Sequence, residues 1–168
     1  MNKLFRFLAI LLLFFSNLAI AQQKTTVIKS KTQIKDNNGW KTYKHHDASV
    51  ELPNYFDYGL LTNSGIQYFD GGEFDEAGDM TIAIEVYPGN KKDLLQSFKN
   101  PRKYSNDKII YNACKDNWHV ISSNQAGTIH YEKEVLKGKN IHHLMIGYPE
   151  NKKEMMDKIL PRISKSFQ

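Results

Sequence analysis

The sequence predicts a single α+β domain in which helices pack on an antiparallel β-sheet. Three observations lead to this prediction. Several short segments alternate between apolar and polar residues and end at turn residues, which is typical of half-buried strands. Two other segments carry apolar residues at helical spacing. The chain has 168 residues, which is enough for one domain with a substantial core after removal of a leader, but too few for two.

The leader is the first 21 residues, Met1 to Ala21, which have the pattern of an export signal. Lys3 and Arg6 give it a basic start, an apolar run follows, and small residues end it. The apolar run of about nine residues is shorter than the roughly twenty that a membrane-spanning helix needs. We therefore expect a mature chain that begins at Gln22, is periplasmic or secreted, and has no integral membrane segment.

The mature composition favours a mixed, solvated surface. Without Lys3 and Arg6 there are 21 Lys and Arg residues against 18 Asp and Glu residues, a formal charge of +3. Basic and acidic residues are interleaved, so no nucleic-acid partner is expected. Residues 22–42 are predicted to form a flexible basic segment, because this stretch is rich in lysine and poor in aliphatic residues. The folded domain is predicted to cover residues 43–168, and its one cysteine excludes an internal disulfide.

Each element of the domain is assigned from its own pattern. Strands are predicted at 48–52, 55–61, 66–69 and 80–86, and a meander of four strands at 109–115, 118–122, 128–135 and 141–148. Asn90, followed by Asp93, predicts the capped start of a helix that ends at Asn100. A last helix is predicted to start with a capping box at Asn151, and Pro161 is expected to kink or divide it.

The first hairpin of the meander contains the only cysteine, Cys114. A two-residue turn would place Cys114 opposite His119 on one face, whereas a three-residue turn would place it opposite Trp118. The two-residue register is favoured because it also gathers apolar residues on the other face. A thiol beside an imidazole permits a nucleophile and base, Cys114 and His119, but the sequence supplies neither an orienting third group nor oxyanion donors. The pattern therefore favours a structural sulfur.

The second hairpin contains a cluster of possible metal ligands. Gly138 and Lys139 fit a type II′ turn with glycine first, and this register places Glu134 opposite His143. Two histidines and two carboxylates, His130, Glu132, Glu134 and His143, then share one sheet face and are suitable ligand types for zinc. Alternate residues of a strand are nearly 7 Å apart, however, so a solvated face with one His–Glu pair is the favoured interpretation.

Four stretches resemble one family: ELPNYF, YNACKDNWHVIS, LMIGYP and ILPRISKSF. Together they are similar to the PsbP-like group of small exported proteins, which shares an α/β/α sandwich with a Ran-binding nuclear import factor. The resemblance covers about Tyr43 to Phe167. It implies an antiparallel sheet covered by helices on both sides, and a role as a binding or assembly accessory. No functional residue can be carried over from it.

The leading functional prediction is an exported, non-catalytic binding or assembly-accessory domain without a cofactor and with a protein partner in the cell envelope. Its expected binding surface is the acidic, aromatic-bearing region Tyr68 to Asp79, which contains Phe74. Two alternatives stay open at this point. One is a thiol enzyme that uses Cys114 and His119, and the other is a metal-binding module that uses the four ligands named above.

Overall fold

The computed structural model describes residues 34–35, 39–70, 80–100 and 108–168. The predicted signal peptide and most of the predicted basic segment therefore lie outside the described residues. The described chain contains the following elements: β1 (Ile34–Lys35), β2 (Trp40–His45), β3 (Ala48–Pro53), β4 (Asp57–Leu61), β5 (Gln67–Asp70), β6 (Thr81–Pro88), α1 (Lys91–Lys99), β7 (Lys108–Lys115), β8 (Trp118–Gln125), β9 (Thr128–Lys137), β10 (Asn140–Pro149), a 3₁₀-helix (Glu150–Lys152) and α2 (Lys153–Ser166).

The strands form two antiparallel sheets. The larger sheet has seven strands in the order β4-β5-β6-β10-β9-β8-β7, and the smaller has the order β1-β2-β3. This arrangement confirms the predicted single α+β domain. The second sheet was not predicted. It forms because β2 starts at Trp40, opposite Pro53 of β3, and pairs with β3 along its whole length.

The hydrophobic core lies between the large sheet on one side and the small sheet with α2 on the other. Leu144 and Ile146 of β10 and Val50 of β3 belong to this core, together with Met156 and Ile163 of α2, all at 2% exposure or less. The predicted amphipathic face of the last helix is thus buried as expected. Burial of such side chains contributes about 1.5–3 kcal/mol each, so this layer dominates the stability of the fold.

Helix α1 covers part of the opposite face of the large sheet. Asn90 caps it through a capping box with Asp93, as predicted. Leu94 is fully buried, and so is Ile141 of β10 at 1% exposure. A Cβ atom at Gly89 would lie 2.5 Å from Ile141 Cδ1, so a larger residue just before the helix would force the buried Ile141 side chain to shift. No helix within the described residues has the length and apolar character needed to cross a membrane.

The start of α2 differs from the prediction. Asn151 lies inside the 3₁₀-helix rather than at the N-cap, and Lys152 occupies the N-cap without a side-chain hydrogen bond. The predicted capping box is therefore wrong. Pro161 does not divide the helix, which continues to Ser166. Contacts of the residues after the proline hold this part in place, since Ile163 is fully buried and Arg162 bonds Glu51 Oε2 at 2.7 Å.

The hairpin registers of the meander agree with the predictions. Cys114 lies opposite His119 across a two-residue turn, and Glu134 lies opposite His143. Gly138 has a φ of +62°, whereas Lys139 has no positive φ, as a type II′ turn requires. These registers determine which polar side chains meet on the face covered by α1.

Candidate functional site

One row of titratable side chains crosses five neighbouring strands of the large sheet. It runs from Cys114 on β7 through His119 on β8, Glu134 on β9 and His143 on β10 to Glu85 on β6, each opposite the next in register. Residues opposite one another in neighbouring strands point to the same face, so all five lie on the side of α1. We call these five residues the polar row.

The centre of the polar row is a buried hydrogen bond between a histidine and a carboxylate. His119 Nε2 lies 3.0 Å from Glu134 Oε2, and the two residues are 2% and 3% exposed. The other carboxylate oxygen, Glu134 Oε1, accepts hydrogen bonds from the hydroxyls of Tyr87 and Ser97, each at 3.0 Å. Ser97 belongs to α1, so this carboxylate links the helix directly to the sheet. Both its oxygens are thus paired, as a buried carboxylate requires.

The surroundings of Glu134 keep it ionised. Burial by itself raises the pKa of the Glu134 carboxyl, but the hydrogen bond from His119 and the charge of His143 outweigh burial and bring this pKa below its ordinary value of 4.5. The carboxylate is therefore negatively charged at neutral pH and attracts the hydrogen-bond donors around it.

The four predicted metal ligands are divided between separate contacts. Glu134 pairs with His119, whereas His143 Nε2 lies 3.2 Å from Glu132 Oε2. His130 lies further along β9, opposite Gly147, where a Cβ atom would be 3.7 Å from His130 Nδ1. Within the described parts of the chain, no group of three His, Cys, Asp or Glu residues is placed to hold a metal ion.

The predicted thiol and imidazole are neighbours without a hydrogen bond between them. Cys114 is half-buried, and its Sγ lies 3.5 Å from the carbonyl oxygen of Lys115. His119 Nδ1 is buried and has no hydrogen-bond partner among the described residues. Glu134 provides the third group that orients His119, a role that was not predicted from the sequence. The arrangement has an oriented base but no hydrogen bond from that base to the sulfur.

Three further contacts of the polar row were missed from the sequence. Tyr87 and Ser97 complete the shell of Glu134, and the ring of Phe98 lies 5.8 Å from that of His119. The register alone could have placed Glu134 opposite His119, because the short β8–β9 turn fixes which residues pair. The contacts from α1 depend on how the helix docks, and no local pattern in the sequence reports that.

A groove of about 310 Å³ continues this face beyond α1. Its lining mixes polar and apolar side chains from several strands, among them Tyr68, Thr81, His130, Glu132 and Met145. Tyr68, which lines the groove, is the first residue of the region Tyr68 to Asp79 that is predicted from the sequence to bind a partner. Residues 71–79 of that region, including Phe74, lie outside the described residues.

The outermost strand β7 carries most of the exposed apolar side chains. Ile109, Ile110 and Tyr111 are 44%, 50% and 55% exposed, and Leu60 on β4 is the only other large apolar residue exposed in the described chain. A β-bulge interrupts the β7–β8 ladder between Ile109 and Tyr111. The strands β4 and β7 are the two ends of the large sheet, so all exposed large apolar side chains of the described residues lie at its edges.

A second groove, of about 400 Å³, lies between the β7 edge and α2. The rings of Tyr111 and Trp118 line the sheet side, and Leu160 and Pro161 line the helix side. Asp157 also lines it, but Lys153 Nζ lies 2.6 Å from Asp157 Oδ2 and compensates its charge. We call this space the aromatic groove. The exposed side chain of Tyr111 lines it, so the groove opens at the β7 edge of the sheet.

Comparison with known proteins identifies the fold. No family model matches the sequence, and neither does any curated protein. The structure is similar to the solution structure of cyanobacterial PsbP (CyanoP) from Synechocystis sp. PCC 6803, with a TM-score of 0.54 and 10% identity. The match covers 84% of this chain and 93% of that chain. The chain therefore has a PsbP-like fold, which confirms the fold implied by the sequence resemblance.

Proposed function

We propose that this chain is an exported, non-catalytic binding or assembly-accessory domain that contacts a protein partner in the cell envelope. The signal-like segment Met1 to Ala21 supports export to the periplasm or the exterior, with a mature chain from Gln22. In this proposal residues 22–42 form a basic lead to the domain 43–168, and no nucleic acid takes part. The PsbP-like fold supports an accessory role by analogy of architecture alone.

The observation that carries the proposal is the apolar edge of the large sheet. Three consecutive large apolar residues, Ile109 to Tyr111, are exposed on β7, and the last of them, Tyr111, lines the aromatic groove. Contiguous apolar surface of this kind marks interaction sites in soluble proteins, whereas isolated exposed apolar residues do not. The surface is a sheet edge beside a groove, which is a geometry that accepts polypeptide.

The polar row supports a binding role over an enzymatic one. His119 and Glu134 are almost fully buried, and Tyr87 and Ser97 occupy the second carboxylate oxygen. A substrate would have to displace α1 to reach the oriented base. We infer that these hydrogen bonds stabilise the packing of α1 on the sheet and do not form a catalytic site.

Site-specific photo-crosslinking in the native cell envelope tests the proposal. A photoreactive p-benzoylphenylalanine replaces Ile110 on β7 or, as a matched control, the exposed Gln96 on α1. We expect ultraviolet light to yield a discrete protein adduct from the β7 position and none from the α1 position. Equal labelling from both positions, or no adduct at position 110, would contradict a protein-binding role for this edge.

A further inference from the structure

The edge strand β7 offers an unpaired row of backbone groups as well as apolar side chains. Among the described strands, β7 pairs with β8 on one side only. An edge strand presents N–H and C=O groups that a second extended chain can pair with, and strand addition is a common mode of peptide recognition. The exposed side chains of Ile109 and Ile110 accompany this row of backbone groups.

Charge at the ends of β7 restricts what can pair with it. Lys108 and Lys115 are the terminal residues of the strand, and both are exposed. Two copies of β7 paired antiparallel in full overlap would place Lys108 of one copy opposite Lys115 of the other. Like charges directly opposite are destabilising, and the bulge between Ile109 and Tyr111 further disrupts a flat edge. Pairing of β7 with a second copy of itself is therefore disfavoured, and pairing with a segment that has acidic residues at both ends is favoured.

The aromatic groove restricts the side chains in the middle of that segment. Tyr111 lies opposite Ser122, and Lys115 lies opposite Trp118, so Tyr111 and Lys115 point to the α2 side of the sheet. Side chains of an added strand that point to the same side would lie next to the groove. Because Lys153 compensates Asp157, the groove favours an apolar or aromatic side chain over a basic one.

We propose that β7 binds an extended segment of an envelope protein by strand addition, and that this segment has acidic residues opposite Lys108 and Lys115 and apolar residues facing the aromatic groove. This inference rests on the proposed function and specifies the partner's chemistry at the same surface. β7 has eight residues, and the bulge leaves one of them without a residue opposite it in β8. A partner segment of about seven residues is therefore long enough to pair with the whole strand.

A capped peptide, Glu-Thr-Val-Thr-Phe-Thr-Glu, is the probe, and its binding is followed by the amide NMR signals of the mature protein. We expect the signals of residues 108–115 and the indole signal of Trp118 to shift. The same peptide with lysine at both ends should bind about tenfold more weakly, since two favourable cross-strand charge pairs become unfavourable. The double variant Lys108→Glu with Lys115→Glu should reverse this preference, whereas the control Lys91→Glu with Lys92→Glu on α1 should not.

N-methylation of the peptide backbone distinguishes strand addition from binding through apolar side chains alone. Successive amides of an extended peptide point to opposite edges, so N-methyl groups on the odd or on the even residues block one edge only. Strand addition predicts that one of the two methylated peptides binds and the other does not. Equal binding of both would overturn the inference.

The remaining outcomes distinguish this inference from the proposed function. If no peptide shifts the signals of residues 108–115 while position 110 still crosslinks to an envelope protein, strand addition fails and the binding role stands. If the crosslink joins two copies of this chain, and Ile110→Lys converts a dimer to a monomer in sedimentation, the occupant is a second copy and the proposed partner chemistry is wrong. Absence of both peptide binding and crosslinks removes both proposals.

Discussion

Removal of the Glu134 carboxylate should destabilise the domain strongly. In Glu134→Ala, the buried His119 loses its charged partner, and the hydroxyls of Tyr87 and Ser97 lose their acceptor. Each buried donor that is left without its acceptor typically costs about 1–3 kcal/mol, so the loss of this carboxylate should cost about 3–5 kcal/mol. This is a large part of the 5–15 kcal/mol that stabilises a typical domain, and it corresponds to a fall in Tm of roughly 10–20 °C at this size.

Urea unfolding followed by circular dichroism and tryptophan fluorescence gives the free energy of unfolding for each variant. Glu134→Gln keeps the shape and one acceptor oxygen, so we expect a smaller loss of about 1–3 kcal/mol. The matched control is Glu154→Gln, which removes a carboxylate that pairs with Lys158 on the surface of α2, at 90% exposure, and should leave the midpoint unchanged.

A double-mutant cycle tests whether the network acts as a unit. Tyr87→Phe alone should cost about 1 kcal/mol, because it removes one hydrogen bond to the carboxylate. In the background of Glu134→Ala, the same change should cost clearly less, since the acceptor is already gone. Additive losses would show that Tyr87 and Glu134 are not coupled. A gain in stability on Glu134→Ala would refute the structural interpretation and indicate that the polar row is kept for function at the expense of stability.

Three other predictions follow from single features. Burial opposes protonation of His45 and lowers its pKa below 6.5, and the pKa of Glu134 lies below 4.5 in the folded domain. As the pH is lowered, the free energy of unfolding should therefore decrease from about pH 6.5 and decrease again below about pH 4.5. His45→Gln should abolish the first of these two decreases. Ala126 has a φ of +49° in the β8–β9 turn, so Ala126→Asn should raise the unfolding free energy by about 0.5–1 kcal/mol in calorimetry, whereas Ala126→Val should lower it. Cys114→Ser should leave the crosslink from position 110 intact, because the proposed function needs no thiol; loss of the adduct with an unchanged Tm would contradict this.

The sequence was sufficient to predict the registers of two hairpins, because turn residues and a side-chain period of two favoured one turn length in each. The turn at Gly138 fixed Glu134 opposite His143, and the turn after Lys115 favoured Cys114 opposite His119. Most of the polar row follows from these pairings. The strand pairings do not predict how α1 packs on the sheet, although this packing places Ser97 next to Glu134 and covers this face.

The smaller sheet could not be predicted for a related reason. The segment WKTYKH of β2 alternates lysine with aromatic and polar residues, which resembles a solvated lead more than a strand. Its burial depends on partners distant in sequence. The guanidinium of Arg162 lies 4.4 Å from the ring centroid of Trp40, and Tyr43 is fully buried in the core. Tertiary contacts therefore decide the conformation of this strand, and local propensity does not.

The edge strand β7 combines two kinds of features that have opposite effects on association. The bulge between Ile109 and Tyr111 and the terminal residues Lys108 and Lys115 all reduce uncontrolled pairing between sheet edges. Exposed apolar side chains increase such pairing and cost solubility. If β7 bound no partner, replacing its apolar side chains with polar ones would reduce uncontrolled edge pairing without loss of any binding. An edge that is protected against its own copies yet retains three adjacent apolar residues is more consistent with selective binding of a different chain than with a passive surface.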